Sequence, residues 1–445
     1  MLPEGPRITV VGGGFAGTEA AWAAANRGVP VRLFEMRPKV ATEVHQTDLL
    51  AEMVCSNSFK SQNPDSPAGQ LKAEMRALGS LMIPTAEACA VPGGDALCVD
   101  RNAFAARMTE AIAVHPLIET VREEWISPDS SEPLIICSGP LTSSRLSQWI
   151  EEKTGVGRLF FYDAVSPTVE AHSINMGIAW EQDRYDKGDG SYINCPFDKE
   201  QYEQFVDALL AADQASSHIP DEAKYFEGCM PIEEIATRGR DSLRFGNFKP
   251  VGLTNPHTGK RAYAVLQLRQ ENIEKSLYSM VACQTRLKWG DQTRIFRLIP
   301  GLEQAEFVRL GVMHRNTYLD SPRILDSNLR LRSSSPPTYF AGQITGVEGY
   351  VESGATGILA GCFAASQLMD HPVESPPRAT ALGCLLSHVT NEIAPEFNPM
   401  NINWGLFPEV EVKDKFERRK RKLESARSAF AEWLESVRNQ REAMT

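Results

Sequence analysis

Gly12-Gly13-Gly14-Phe15-Ala16-Gly17 follows a short β-branched run at residues 7–11 (RITVV) and opens an alanine-rich segment, residues 18–27, that reads as a helix. Residues 29–35 (VPVRLFE) then read as a second buried strand ending on Glu35. A strand, a glycine turn, a helix and a second strand begin a doubly wound parallel sheet. The glycines match G-x-G-x-x-G, which carries little alone and much more in this context. Gly12 permits the tight turn, Gly13 and Gly14 bring backbone toward a pyrophosphate, and Gly17 allows close helix–strand packing. Phe15 and Ala16 lie at the helix N-terminus, whose free N–H groups favour an anion. Glu35 is placed to accept hydrogen bonds from ribose hydroxyls, and its charge disfavours a 2′-phosphate.

The loop does not separate NAD from FAD; the far end of the chain helps. Residues 338–342 (TYFAG) form a late apolar strand, followed by Gln343, Gly346 and a helix of small residues at 355–369. Such a return beside the first βαβ unit favours FAD, with Gly342, Gln343 and Gly346 as contacts because glycine backbone approaches a ring closely. Between these ends lie a helix at 100–113, a strand at 133–138 and a β-rich stretch beginning at 192. The expected class is α/β: a Rossmann-like FAD-binding domain, a doubly wound parallel sheet, with an inserted smaller α+β domain. The boundaries read are 1–181 and 301–445 for the cofactor domain and 182–300 for the insertion. The closing helix, 413–441, carries one apolar stripe through Phe416, Leu423, Phe430 and Val437 and is expected to face its own core.

There is no long apolar run and no signal-peptide pattern at the start, so a cytoplasmic protein without membrane spans is expected. Nine scattered cysteines without a C-x-x-C fit reduced thiols, and no metal site is expected. Two cysteines have unusual neighbours. Cys55 sits among hydroxyls, an amide and Lys60. Cys229 sits between Gly228 and Pro231, with Glu227, Glu233 and Glu234 nearby. Either setting suits a reactive thiol or an inert one.

Longer words of sequence point further. They are GGGFAGTEAA at Gly12, CSNSFKS at Cys55, CVDR at Cys98, GPLTS at Gly139, YINCPF at Tyr192, FEGCMPIEEIA at Phe226, MHRNTY at Met313, AGQITGVEGYVES at Ala341 and NPMNINWGLFPE at Asn398. In this order, across nearly the whole chain, they resemble the folate- and FAD-dependent tRNA (uracil-5-)-methyltransferases, flavoproteins that make 5-methyluridine in the T loop of tRNA. Departures are Phe15 for a usual Leu, Gly354 for Ala and His172 for an acidic residue.

The resemblance implies methylation of uridine 54 at C5, with 5,10-methylenetetrahydrofolate as carbon donor, reduced FAD as reductant and NADPH or NADH behind it. It implies Cys229 as the nucleophile at uracil C6, with Cys55 as partner thiol; the two roles are exchangeable at this level. It also carries over Arg101 as a cofactor contact, and His314 and Tyr350 as folate-side residues, His314 by stacking on the pterin. The partner implied is the T arm of tRNA, with no obligate protein partner.

Three other readings keep the fold. One is the related wobble-uridine carboxymethylaminomethyl flavoprotein, a longer protein. Another is a NAD(P)H-dependent flavin oxidoreductase, which would need a second fingerprint. The third is a flavin-binding RNA chaperone using neither thiol.

A net charge of −11 argues at first against an RNA partner. The charge is segregated, however. Residues 237–297 carry net +8 and residues 413–422 net +5, leaving −24 for the remainder. Phosphate contacts are expected on those two segments.

Overall fold

The computed structural model describes residues 2–42, 44–126, 131–155, 159–164, 166–186, 190–213, 230–311, 313–391 and 397–442; side chains are described in all of these but 159–164, 313–316 and 439–442. A five-stranded parallel sheet carries the first layer. Its order is Thr338–Phe340, Leu134–Ile136, Ile8–Val11, Val31–Phe34, Ile118–Val121. Strands from both ends of the sequence thus meet beside the first strand. The central one, ITVV, is buried at every residue, as a strand covered on both faces must be.

The helix Phe15–Ala25 is buried almost all round and has almost no polar face. Its partner is the helix Tyr350–Leu368, and glycine sets their separation. A Cβ on Gly357 would lie 2.2 Å from the Ala16 carbonyl oxygen, and one on Gly361 would lie 2.3 Å from that of Ala20. Two glycines one turn apart let the helices touch backbone to backbone. That contact brings Tyr350 against the nucleotide loop. Buried Glu19 on the first helix accepts the Met82 N–H at 2.6 Å and the Ser80 hydroxyl at 2.6 Å. It thereby caps the short Met82–Ala88 helix.

A second layer is an antiparallel six-stranded sheet. Its order is Trp180–Glu181, Tyr192–Phe197, Ala264–Gln270, Leu277–Met280, Thr168–Glu170, Phe307–Arg309. It has its own apolar core, over which the helix Lys199–Ala211 packs. That helix starts at a capping box, Asp198 with Gln201. The sheet is wider than 182–300, because Thr168–Glu170 and Phe307–Arg309 pair into it from either side. Alternating burial could not show this, since strands of three residues carry almost no period. The two layers are joined by an antiparallel ribbon, Leu159–Ala164 with Met313–Tyr318.

The closing helix, Lys415–Glu442, packs its stripe inward at Leu423, Phe430 and Trp433, whereas Phe416 is exposed. Lys422 also turns inward, bonding Glu409 at 3.0 Å and two backbone carbonyls. One charge of the basic run at 413–422 is therefore spent inside the protein. No helix among the described residues is long and apolar enough to cross a membrane.

Candidate functional site

A cleft of about 1020 Å³ opens at the carboxyl ends of the parallel strands. It is lined by residues just beyond each of the five: Gly12 to Ala16, Glu35 to Arg37, Glu123 to Trp125, Cys137 to Ser143, and Gly342 with Gln343. Ligands of open α/β sheets bind at this edge. Gly12 takes φ +104°, and a Cβ there would lie 2.4 Å from the Cys137 carbonyl oxygen. Gly17 faces the strand instead of the cleft, and its Cβ would lie 1.7 Å from the Gly12 carbonyl oxygen. A Cβ on Gly14 would meet no protein atom within 4 Å, and Gly14 caps the first helix without a side chain. The loop thus leaves an open cradle before a helix N-terminus. A cleft at this edge with such a cradle suits the pyrophosphate of a dinucleotide.

Glu35 lines the cleft, but its oxygens are already engaged. Oε2 accepts the Gly13 N–H at 3.0 Å and Arg37 Nη2 at 3.3 Å; Oε1 accepts the Arg37 N–H and Nε, each at 3.0 Å. Arg37 also reaches Glu52 Oε2 at 3.0 Å. Burial pushes the Glu35 carboxyl up, but the Arg37 hydrogen bonds and charge outweigh it and hold the group below its usual range. The carboxylate therefore ties the glycine loop to Arg37, a role that the sequence spacing did not suggest. The pair Glu35-x-Arg37 was the available signal, since a turn places such neighbours on one side.

Removing Arg37 leaves two enclosed carboxylates unanswered. Arg37→Ala is expected to destabilise the protein by about 3 kcal/mol at pH 8. In the native protein the Glu35 contribution is present above its unfolded pKa and fades as pH falls through the lowered folded value. In the variant the guanidinium is gone and burial outweighs the two backbone N–H bonds that remain, so acid relieves Glu35. The deficit should shrink between pH 8 and pH 5; denaturant titrations at both pH values check this.

Gly342, at φ +83°, would place a Cβ 2.7 Å from that of Ala16, and its N–H donates to Thr356 Oγ1 at 2.9 Å. Gln343 lines the cleft and donates to Glu348 at 2.8 Å. Gly346 does not line it: a Cβ there would run into the Phe397 ring at 2.3 Å. Its φ of +85° closes a turn over that ring instead of presenting backbone to a ligand.

Tyr350 joins the cleft to the Cys55 loop. Its ring stacks on Phe15 at 4.5 Å. Its hydroxyl oxygen accepts the N–H of Cys55 at 2.9 Å and of Ser56 at 3.3 Å. Cys55 is partly exposed. Arg101 does not line the cleft. It pairs with buried Glu271 and donates to the carbonyls of Met53 at 2.9 Å and Cys55 at 3.2 Å. It is held at the boundary of the two layers by a carboxylate on the second sheet, which distance in sequence had hidden. His314 lies in the connecting ribbon opposite Asp163, and its side chain is outside the described residues. Cys229 also lies outside them; Met230, next in sequence, is buried, and Ile232 donates to the Gln284 carbonyl at 2.8 Å. His172 sits in an exposed turn just after the strand Thr168–Glu170, 3.1 Å from Glu170.

The fold and cleft define a Rossmann-type flavoprotein class. Its architecture matches two crystal forms of Aquifex aeolicus GidA. Form II gives a TM-score of 0.69 at 15% identity, covering 96% of this chain and 73% of that one. Form I gives 0.66 at 16%, covering 86% and 69%. The model of the family described as glucose inhibited division protein A matches residues 7–372. Much nearer in sequence are proteins named methylenetetrahydrofolate--tRNA-(uracil-5-)-methyltransferase TrmFO. That of Rhizorhabdus wittichii is 52% identical, covering 96% of this chain and 98% of its own. Those of Syntrophomonas wolfei and Geobacter sulfurreducens are each 50% identical, covering 97% of this chain and 100% and 99% of their own. The chain belongs to the TrmFO family.

Proposed function

We propose that this protein methylates C5 of uridine 54 in the T arm of tRNA, taking its carbon from 5,10-methylenetetrahydrofolate. The observation that carries the reading is half-identity to TrmFO proteins along essentially their whole length. The open glycine cradle supports it from the structural side, as the place for FAD. When bound, reduced FAD supplies the two electrons that convert the methylene of the folate into a methyl group, and NADPH or NADH restores it.

The chain's own part is to activate the base. Uracil C5 is a poor nucleophile until a thiolate adds at C6. Cys229 makes that bond, C5 takes the one-carbon unit, the C5 proton leaves, and the C6–sulfur bond breaks to free the thiol. Cys55 is the partner thiol, on a loop fixed to the cleft by Tyr350. His314 and Tyr350 are the folate-side residues of this reading, and Gly12, Gly13, Gly14, Phe15, Ala16, Gly342 and Gln343 hold the cofactor. Its setting is the cytoplasm.

The test is methyl transfer to undermethylated tRNA with methylenetetrahydrofolate and NADPH. The expected product is 5-methyluridine at position 54. FAD-loaded protein that makes none refutes the reading and favours the oxidoreductase or chaperone alternative. Binding should also depend steeply on salt, because residues 237–297 and 413–422 concentrate the positive charge. Affinity for tRNA that does not change between about 50 and 200 mM salt would contradict phosphate contacts there.

A further inference from the structure

Three arginines from distant parts of the chain converge on the 53–56 loop, which carries Cys55. Arg101 donates to the carbonyls of Met53 and Cys55, at 2.9 and 3.2 Å. Arg309 donates to the Val54 carbonyl at 3.4 Å and to Thr168 Oγ1 at 3.3 Å. Arg269 donates to Ser56 Oγ at 3.2 Å. Glu271 is the carboxylate among them, and Arg101 takes both of its oxygens. Three guanidinium charges therefore share one carboxylate in a partly buried place.

Two of the arginines are also incompletely bonded. The Nε atoms of Arg269 and Arg309 are buried and have no hydrogen-bond partner among the described residues. Guanidinium groups are rarely enclosed with a donor unmet and a charge unanswered, because both are unfavourable away from water. Burial, and after it the Arg101 charge, pushes the Arg309 guanidinium down to about 10. The site is not sealed: Arg101, Arg269 and Arg309 are each half-buried, as is Cys55, and Val54 and Tyr350 beside them line the cleft.

We propose that Arg269 and Arg309, backed by Arg101, form an oxyanion-binding site beside Cys55 that receives a phosphate or carboxylate borne by a substrate. The choice of ligand rests on the function proposed above. Its two substrates supply the two sources of such a group: the RNA backbone and the glutamyl tail of the folate. A guanidinium fork matches either oxyanion. Bound there, the group would answer the excess charge and hold the substrate at a fixed place relative to the thiol.

Arg269→Gln is the decisive variant, since the side-chain partners of Arg269 are the neutral hydroxyls of Ser56 and Tyr192. Binding is measured on FAD-loaded enzyme without turnover, with undermethylated tRNA in one arm and tetrahydrofolate mono- and triglutamate in the other. The expected result is a loss of about tenfold in affinity for one of these ligands, partly restored in Arg269→Lys, with no fall in melting temperature. If the site holds an RNA phosphate, tRNA binding weakens and its salt slope falls by about 1. If it holds a carboxylate, the folates weaken and tRNA does not. Unchanged affinity for both ligands overturns the proposal. So does a lowered melting temperature, which would make the guanidinium a structural strut. Wild-type enzyme that binds both ligands yet transfers no methyl group would sink the functional reading and leave this site standing.

Discussion

Cys229→Ala and Cys55→Ala are each expected to lower methyl transfer by about 10³-fold or more, since groups acting as one unit fail together. The two variants should nevertheless separate in a second measurement. With 5-fluorouridine in the tRNA, C5 cannot lose its substituent as a proton, so a thiol added at C6 stays attached. Mass spectrometry should find that adduct in Cys55→Ala and not in Cys229→Ala. The reverse pattern would exchange the two roles. The Cys55 loop is held from one side by Tyr350, which also stacks on Phe15, and from the other by Arg101 and Arg309. A thiol held by its backbone on both sides keeps its position when the cleft is filled, which suits a reaction that needs two groups aligned.

Gly17→Ala should be among the most disruptive single substitutions in the cofactor layer. The added Cβ would lie 1.7 Å from the Gly12 carbonyl oxygen, an overlap with backbone that no rotamer relieves. The helix must move off the sheet, and its close contact with the Tyr350–Leu368 helix at Gly357 and Gly361 is disturbed with it. A loss of about 4 kcal/mol or more is expected, with FAD no longer retained on purification. Gly14→Ala is the contrast. Its Cβ meets no protein atom within 4 Å, so the melting temperature of the cofactor-free protein should hold while FAD affinity falls. Unchanged FAD affinity in Gly14→Ala would mean that the cradle is not where the cofactor lies. Chemical denaturation and flavin absorbance measure the two effects separately.

Much of the cofactor layer was legible from local patterns. The strand, turn, helix and strand at the start appear as Ile8–Val11, Phe15–Ala25 and Val31–Phe34. The return strand at Thr338–Phe340 does pair into the same sheet. Steric demands at a tight turn and apolar runs in a buried sheet are written within a few neighbouring residues. The helices Pro67–Ala77, Met82–Ala88 and Ala381–Thr390 were missed. Buried Glu74 caps the last of these from 307 residues away, with its carboxylate accepting the Ala381 and Leu382 N–H groups. Such a start signal is invisible to a window of sequence. The second sheet also takes in Thr168–Glu170 and Phe307–Arg309, short strands from either side of 182–300 that carry no periodic signal of their own.

The glycine spacing, the two cysteine words and the segregated charge needed no coordinates, since each depends on residue identity and short separation alone. Gly346 and Arg101 show the opposite case. Both stand in words that match the family, yet one closes a turn over Phe397 and the other ties the Cys55 loop to Glu271. Which face a glycine turns toward, and which of several carboxylates an arginine meets, depends on residues brought close only by packing. The cluster of Arg101, Arg269 and Arg309 is of this kind. Charge and hydrogen bonding act through space, and only the folded chain sets those distances.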